Sequence, residues 1–295
     1  MWFDQSKELL GSVLRITFEH KNKTAGARLL KSCWKEIRRF HNKYSRFIDG
    51  NYIQKINLKV GTWQKVDAET FEMLRKVEKL QEMYGLNFNL AVMGSLENFG
   101  YDKKYSFKAK VRVRTKAVSG YVKLKKPDLV FISAPIEFGG FGKGYALDLA
   151  AEIFKKTCKN ICLDFGGDLY AQGKNPEGQE WEMAMESPFK KDEAIGITAL
   201  NGKFLAASNP LRRTWGNKKQ FHHLIDIESG RPAKSWAAAY VLAATGFEAD
   251  FLATALFCTP KPKLQLLAGR IKQLSFVLVD PKGSAWINNS PAEFF

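Results

Sequence analysis

Four glycines fall within the six positions from 139 to 144, immediately before an apolar stretch with helical spacing. Such a loop can bring backbone N–H groups close to a phosphate at the start of a helix. It is not a Walker A loop, because Glu137 stands where the first glycine would be and Gly144 where a serine or threonine would hold magnesium. The pattern GxGxxG is also absent. The segment is either a phosphate-binding loop or a set of tight turns in which Lys143 is a solvated cation.

A second glycine turn follows an apolar strand pattern. The sequence LDFGGD at 163–168 places Gly166 and Gly167 where that pattern ends. Glycine allows a backbone to approach a ligand closely. Two such turns, each beside the end of a strand or helix, favour a ligand with two phosphates, and the alternative is a pair of ordinary crossover turns.

The chain has only four histidines, and two of them form the pair His222-His223 within HHLIDIESGRP at 222–232. A neutral imidazole beside a strand can act as a general base near neutral pH. A structural or surface role is the alternative for such a pair. No GxSxG or HExxH pattern and no cysteine nucleophile signature accompanies it, which excludes the serine hydrolase and zinc protease classes.

Asp250 and Thr254 lie four positions apart in EADFLATALF at 248–257, a segment that is otherwise almost entirely apolar. On a helix they share one face. A carboxylate and a hydroxyl that point together suit Mg²⁺, which binds through few protein oxygens and keeps water or phosphate ligands. The alternative is a charge at the helix N-terminus and a threonine bonded back to its own helix.

Apolar spacing divides the chain into interleaved helices and strands. Steps of three and four predict a helix from about Ala25 to Tyr44, and a second one that begins after Asp67 as N-cap and ends at Gly85. Further patterns predict an early strand around 13–18, strands near 160–165, 180–186, 194–200, 204–207 and 237–243, helices from 144 and over 248–257, and a last helix and strand within 264–279. No repeat or linker interrupts 1–295, so we expect one α+β unit with mixed or antiparallel sheets.

Positive charge is concentrated in two stretches. The whole chain has 46 Lys and Arg against 30 Asp and Glu, a net charge of +16. Residues 1–50 contribute +6 and residues 101–128 contribute +8, which leaves the rest nearly neutral. Local basic patches of this kind argue against a polyanion groove along the molecule, and we expect no nucleic-acid partner.

The basic stretch at about 101–130 alternates apolar and cationic residues from Tyr105 to Val130, including Phe107, Val111, Val113, Val118, Tyr121 and Val122. A period of two predicts hairpins with one charged face. A solvated face is the favoured interpretation, and docking on an acidic partner or on an anionic membrane surface is the alternative.

Compartment is suggested by the chain's first residues and by its cysteines. Asp4, Lys7 and Glu8 occupy positions where a secretory signal would be apolar. No run of 18 uncharged apolar residues, the length that a membrane span needs, occurs in the sequence. The four cysteines stand in mostly apolar surroundings, which favours reduced core thiols over a disulfide framework. We expect a cytoplasmic protein.

Taken in order, the four motifs resemble those of the FAD:protein FMN transferase family, the ApbE-like flavin transferases. The matching segments are 139–154, 163–173, 222–232 and 248–257, and the pair Ile56-Asn57 resembles a pair in the family's N-terminal half. The resemblance spans about residues 10–260 and implies an ApbE-like, T-fold-like architecture.

Members of that family use Mg²⁺ to break the pyrophosphate of FAD. They leave FMN esterified to a threonine or serine of an acceptor flavoprotein subunit and release AMP. The resemblance implies His223 as the base, and Asp250, Thr254 and the carbonyl of Gly142 as metal ligands. The FAD-binding residues that it implies are Gly139, Gly140, Lys143, Gly166, Gly167, Asp168 and Ser208.

Four positions depart from the family pattern. Asn89 and Glu137 stand where the family has aspartate, Asn209 where it has glycine, and Ile227 where it has proline. Asparagine is the usual substitute for glycine in a left-handed conformation, so Asn209 is compatible with that conformation. The departures leave two alternatives to FMN transfer: an FAD pyrophosphatase that yields free FMN and AMP, and a degenerate protein that binds FAD without turnover.

Overall fold

Helices and strands alternate along the part of the chain that the computed structural model describes, residues 1–110 and 117–294. The helices are Lys23–Tyr44 (α1), Tyr52–Asn57 (α2), Ala68–Tyr84 (α3), Met93–Asn98 (α4), Gly142–Phe154 (α5), Gly246–Cys258 (α6), Lys261–Leu266 (α7) and Ala268–Ile271 (α8), with 3₁₀ turns at Leu90–Val92 and Asn217–Lys219. The strands are Trp2–Leu9 (β1), Ser12–Glu19 (β2), Trp63–Lys65 (β3), Val122–Lys125 (β4), Leu129–Ile132 (β5), Ile161–Phe165 (β6), Asp168–Gln172 (β7), Trp181–Glu186 (β8), Ala194–Leu200 (β9), Lys203–Ser208 (β10), Thr214–Trp215 (β11), Phe221–His222 (β12), Ile225–Asp226 (β13), Arg231–Pro232 (β14), Ala238–Ala243 (β15), Ser275–Val279 (β16), Ala285–Asn288 (β17) and Glu293–Phe294 (β18).

An antiparallel sheet of eight strands, in the order β1-β2-β6-β7-β10-β15-β16-β17, lies at the centre of the fold. Its side chains alternate between two buried faces: on β15, Ala239 and Val241 belong to one core, whereas Tyr240 and Leu242 belong to the other. Helices α5 and α6 pack on the first face, and the sheet β18-β9-β8 packs on the second. The third sheet, β3-β5-β4, lies outside this sandwich.

The long helices begin and end where the sequence predicts. The Asn22 side chain accepts a hydrogen bond from the N–H of Ala25 at the start of α1, and Asp67 accepts one from Thr70 at the start of α3. Gly85 ends α3 in the left-handed conformation, with φ of 68°. Within the described ranges, no helix combines the length and apolar character needed to cross a bilayer.

The basic stretch forms one hairpin instead of several. Strands β4 and β5 confirm a hairpin at 122–132, but the prediction of strand over 105–110 was wrong. Tyr105 and Phe107 have φ of 48° and 50°, which a strand cannot accommodate. Instead, the ring centre of Tyr105 lies 4.5 Å from that of Phe47, and the ring centre of Phe107 lies 5.3 Å from that of Trp215. Val111 and Val113 lie outside the described residues.

The fold class predicted from the sequence, α+β with antiparallel sheets, is confirmed, since every named strand pairing is antiparallel. Helices α5 and α6 matter most for function. Helix α5 begins beside the turn between β6 and β7, and the middle of α6 passes the end of β10, so both helices border the same end of the central sheet.

Candidate active site

A cavity of about 1010 Å³ opens between the start of α5 and the middle of α6. Ten of the residues predicted for the site line it: Gly139, Gly140, Gly142, Lys143, Gly166, Gly167, Ser208, His223, Asp250 and Thr254. The eleventh, Asp168, is buried behind this wall and forms an ion pair with Lys143. Residues that are more than 100 positions apart in sequence are thus brought to one place.

Helix α6 presents Asp250 and Thr254 to the cavity. The Thr245 side chain caps the helix by accepting the N–H of Glu248, and nearly every other residue of α6 is buried in the core. Asp250 is 4% exposed, and its Oδ2 accepts a hydrogen bond of 2.9 Å from the N–H of Gly144. The Thr254 hydroxyl lies 3.4 Å from that of Ser208, at the end of β10.

Helices α5 and α6 cap each other. Asp148 of α5 accepts hydrogen bonds from the first N–H groups of α6, at 2.6 Å from Gly246 and 2.9 Å from Phe247, while Asp250 of α6 accepts the one from Gly144. A Cβ on Gly144 would lie 2.0 Å from the carbonyl oxygen of Gly246, so only glycine permits this crossing. Burial raises the pKa of Asp148 to about 6, although the two N–H groups act in the opposite direction. The exchange of caps fixes Asp250 relative to the glycine loop.

The glycine loop runs past both α6 side chains. Gly140 lies beside the Thr254 methyl group and Gly144 beside the Cβ of Asp250, which places Gly142 between them. Two amides of the loop are used within the fold, because the N–H of Gly139 is bonded to Glu137 Oε2 and that of Gly142 to the Phe138 carbonyl. Those two amides are therefore unavailable to a phosphate in this conformation.

Asn57 fixes the segment that leads into the loop. Its side-chain amide donates to the Ile136 carbonyl at 2.8 Å and its Oδ1 accepts the Ile136 N–H at 2.9 Å. This two-way contact explains why the Ile-Asn pair of the N-terminal half belongs to the same site as the loop.

Lys143 and Asp168 form a buried ion pair at the cavity wall. Asp168 also accepts the N–H of Ala207 at 3.2 Å. Burial lowers the pKa of Lys143, but the carboxylates of Asp168 and Asp250 outweigh it and leave that pKa above its ordinary value. Burial and the charge of Asp250 raise the pKa of Asp168, against the opposite effect of Lys143. The ammonium group of Lys143 is thus held in place as a cation.

Gly166 and Gly167 form the two-residue turn between β6 and β7. Both have positive φ, 64° and 95°, as a tight antiparallel hairpin requires. The N–H of Gly167 is bonded to Asp164 Oδ1 at 3.0 Å. The hairpin alone accounts for these glycines, and their position on the cavity wall is what relates them to a ligand.

The two neighbouring histidines differ sharply. His222 is buried and satisfied: its Nδ1 accepts the N–H of Leu224 and its Nε2 lies 3.0 Å from the Ala233 carbonyl, so burial lowers its pKa to about 4. His223 lines the cavity, and its Nδ1 is buried with no hydrogen-bond partner among the described residues. Burial, followed by the charge of Arg213, lowers the pKa of His223 well below its ordinary value. His223 is therefore a neutral imidazole whose Nδ1 forms no hydrogen bond within the described chain.

Sequence reasoning missed a cationic cluster around Tyr101, whose ring centre lies 6.0 Å from that of His223. The guanidinium groups of Arg46 and Arg213 lie 4.7 and 5.8 Å from the centre of the Tyr101 ring, and all three residues line the cavity. Arg213 donates to the Tyr101 hydroxyl and to the Gly11 carbonyl. The buried position of Arg46, which is 9% exposed, has no counterpart in the local sequence pattern.

Two departures from the family pattern have structural roles. Asn89 accepts the N–H of Ala91 at 2.8 Å and donates to the Gly120 carbonyl at 3.2 Å. Asn209 accepts the N–H of Leu211 at 3.0 Å. Asn209 does not adopt the left-handed conformation that asparagine permits, since its φ is not positive. Instead, its side-chain oxygen closes a turn by accepting the N–H two residues ahead.

The oxygen donors present suit a hard cation. Asp250 offers a second carboxylate oxygen with no hydrogen-bond partner in the described chain, Thr254 a hydroxyl, and Gly142 a carbonyl on the cavity wall. The described residues contain no cluster of three or more His, Cys, Asp and Glu side chains placed to hold a metal. An ion bound here would take few protein ligands and complete its shell with ligand oxygens or water.

Comparisons with known proteins agree with this arrangement. A model described as the ApbE family matches residues 10–278. The chain is 30% identical over 164 residues to the FAD:protein FMN transferase of Haemophilus influenzae and 26% identical over 170 residues to that of Escherichia coli K12. The matches cover 54% and 56% of this chain and 47% of each relative, about half the length of the relatives.

Solved structures show the same fold over the whole chain. The ApbE protein of Thermotoga maritima superposes with a TM-score of 0.85 at 22% identity, covering 98% of this chain and 97% of the other. The apo flavinyl transferase ApbE of Pseudomonas stutzeri superposes with a TM-score of 0.81 at 18% identity, covering 100% and 94%. With its fold and with a family model matched over most of its length, this chain belongs to the ApbE family.

Proposed function

We propose that this chain transfers FMN from FAD to a threonine or serine hydroxyl of an acceptor protein and releases AMP, in a reaction that depends on Mg²⁺. The relatives named FAD:protein FMN transferase support the substrate and the transferred group. One observation supports the proposal most strongly: neutral His223, the ion-paired Lys143 and the Asp250-Thr254 pair all line one cavity.

The cavity has the size that the proposed substrate requires. Its volume of about 1010 Å³ lies at the upper end of the range of roughly 300–1,000 Å³ for small-molecule pockets. A dinucleotide with a flavin and an adenine needs such a space. Aromatic side chains on the wall, including Phe88 and Tyr101, offer flat surfaces for its rings.

His223 is the base for the acceptor hydroxyl in this proposal. A serine or threonine hydroxyl is a weak nucleophile at neutral pH, and a positioned general base contributes roughly 10²- to 10⁴-fold in rate. The His223 ring lines the cavity, and it takes the proton as the hydroxyl oxygen attacks. Burial, together with the charges of Arg213 and Lys143, lowers the pKa of His223 and keeps it neutral before the reaction.

The remaining residues bind and orient the diphosphate. Asp250, Thr254 and the Gly142 carbonyl would hold Mg²⁺, which when bound neutralises phosphate charge and polarises the phosphorus. Lys143, fixed by Asp168, supplies a further positive charge at the wall. Gly140 lies between the Phe88 ring and the Thr254 methyl group, where a Cβ would lie 2.7 Å from the ring.

Bonds and protons balance without a further reactant. A P–O bond forms between the acceptor oxygen and the phosphorus of the FMN half, and the bridging P–O bond to the AMP half breaks. AMP leaves with the electron pair, and the hydroxyl proton goes to His223. The acceptor therefore contributes only its alcohol.

Product analysis tests the proposal. The protein is incubated with FAD and Mg²⁺, with and without a peptide that carries the threonine of an FMN-modified flavoprotein subunit, and with the same peptide in which alanine replaces that threonine. We expect equal amounts of AMP and flavin-labelled peptide with the threonine peptide alone. Free FMN with AMP in all three reactions would indicate an FAD pyrophosphatase. Binding of FAD without AMP in any reaction would indicate a protein that has lost turnover.

A further inference from the structure

The outer face of the sheet β3-β5-β4 combines exposed aromatic residues with lysines. Strand pairing places Trp63, Phe131 and Lys123 in one row across the sheet, and Lys65, Leu129 and Lys125 in the next. All six side chains point the same way, because residues two apart on a strand share a face. Tyr121 extends the first row by stacking on Phe131, with 5.9 Å between ring centres. We call this set of seven residues the aromatic-lysine face.

The aromatic-lysine face points away from the core. The residues that alternate with it, Gln64, Val130 and Ile132, are at most 7% exposed and pack inward. Trp63 and Tyr121, by contrast, are 48% and 51% exposed. Large aromatic side chains left half in water on one small sheet are typical of an interaction surface.

Its charge is of one sign. Lys65 has an exposed ion pair of 3.1 Å with Asp128, and Lys123 lies over the Tyr121 ring at 5.1 Å. Lys125 is exposed and makes no ion pair within the described part of the chain. The face therefore presents more positive charge than its neighbours neutralise.

The loop that enters this sheet adds exposed apolar groups. Leu58 follows α2 and is 86% exposed, and Val60 is 37% exposed. Lys59 stands between them and is exposed as well. The N–H of Gly61 is bonded to the Ile132 carbonyl at the end of β5, so the loop is fixed to the edge of the face.

We propose that the aromatic-lysine face, with the loop 58–61 at its edge, docks on an anionic lipid surface. Its cations are all lysines, and protein interfaces are enriched in arginine and depleted in lysine. Lysine stems can lie along apolar surface while their ammonium groups reach lipid phosphates. Tryptophan and tyrosine prefer the headgroup layer, where one side of the ring is apolar and the other is wet. This binding is independent of the FMN transfer proposed above.

Vesicle flotation tests the proposal. The whole chain is mixed with vesicles of phosphatidylcholine and phosphatidylglycerol, and with vesicles of phosphatidylcholine alone. We expect binding to the anionic vesicles only, weakened by added salt. The variant Lys123→Ala/Lys125→Ala should bind about 30-fold more weakly, from about fivefold per lysine near an anionic surface. Trp63→Ser should also weaken binding, by removing an interfacial ring.

Matched controls keep the result specific. Lys159→Ala/Lys282→Ala removes the same charge from exposed positions outside the face and should bind as the unchanged protein does. Thermal unfolding of each variant checks that the fold is intact. The proposal is overturned if anionic vesicles do not bind, if both double variants lose binding equally, or if the face variants lower FMN transfer to a protein acceptor without lipid while vesicle binding stays unchanged.

Discussion

At the scale of single residues, His223 separates a catalytic interpretation from a structural one. Its neighbour His222 uses both ring nitrogens within the fold, whereas Nδ1 of His223 is buried without a partner among the described residues. A polar atom left unpaired in a folded interior costs free energy unless a ligand or substrate satisfies it. The structure therefore distinguishes two residues that the sequence presents as a pair.

We predict that His223→Asn lowers kcat/KM for FMN transfer by about 10²- to 10⁴-fold, because the acceptor hydroxyl loses its base. His222→Asn is the matched control: it should lower thermal stability and leave kcat/KM within a few fold. Steady-state AMP release with the acceptor peptide measures both. A greater loss of kcat/KM in the His222 variant than in the His223 variant would contradict the assignment.

The pH dependence of the unchanged enzyme tests the same residue. The pKa of His223 lies well below its ordinary value, so the imidazole is already neutral across the usual titration range of histidine. A rate profile would also contain the raised carboxyls Asp148 and Asp168, so the imidazole is observed directly by NMR. We predict that the ring resonances of His223, assigned with the His223→Asn variant, stay unchanged from about pH 8 to about pH 6. A titration of these resonances with a midpoint near the ordinary histidine pKa would show that the cavity does not shift this group as the geometry implies.

At the scale of secondary-structure elements, the reciprocal caps of α5 and α6 hold the proposed metal ligands in place. Asp148→Ala leaves two N–H groups at the start of α6 without acceptors. We predict a loss of about 2–3 kcal/mol in the free energy of unfolding, together with a higher Mg²⁺ requirement for FMN transfer, since Asp250 loses its fixed position. Urea unfolding and a Mg²⁺ titration measure the two effects.

Asp148→Asn is the control for that prediction, because its amide oxygen can still accept one of the two hydrogen bonds and should retain part of both properties. A stability loss without any change in Mg²⁺ requirement would mean that the caps support the fold but do not position Asp250.

A second element-scale prediction concerns the junction of α1 and α3. Glu69 accepts hydrogen bonds from Arg39 at 2.8 Å, Lys43 at 2.7 Å and Tyr44 at 3.1 Å. Burial alone would raise the pKa of Glu69, but the two cations outweigh it and lower that pKa to about 2. The folded pKa therefore lies below the unfolded value, and the resulting stability is present above about pH 4.5 and lost as the pH falls toward 2.

We predict that Glu69→Gln lowers the free energy of unfolding by up to about 3 kcal/mol at neutral pH, because each tenfold change in the acidity of a group corresponds to about 1.4 kcal/mol. The difference from the unchanged protein should shrink as the pH approaches 2. Urea unfolding at several pH values measures it, with Glu72→Gln as control, since the exposed Glu72-Arg75 pair contributes little. A pH-independent difference would exclude the linkage.

Some residues of the candidate site can be predicted from the sequence pattern, and others cannot because their contacts depend on the fold. Asp250 and Thr254 are recognisable because they are polar residues in an apolar helix, and Asp148 carries the same signal in α5. Arg46 and Tyr101 meet across 55 positions through an aromatic cluster, and no local pattern encodes that contact. The hydrogen bond between the Gly139 amide and Glu137 could not be predicted either, because it depends on the conformation of the loop.

At the scale of the whole molecule, glycine turns, a histidine, the start of α5 and the middle of α6 meet at one end of an antiparallel sheet and line one cavity. The proposed docking face belongs to a separate small sheet, so substrate chemistry and surface attachment can be altered independently. The central claim is that Asp250, Thr254 and Gly142 hold a divalent cation against the diphosphate of FAD.

The most direct test of that claim is calorimetric titration of FAD into the protein with and without Mg²⁺, for the unchanged chain and for Asp250→Asn. Glu193→Gln, which removes an exposed carboxylate elsewhere on the cavity wall, serves as control. We predict that Mg²⁺ tightens FAD binding to the unchanged chain and to the control, and that Asp250→Asn reduces this effect by more than about 10-fold. Equal enhancement by Mg²⁺ in all three proteins would contradict the claim.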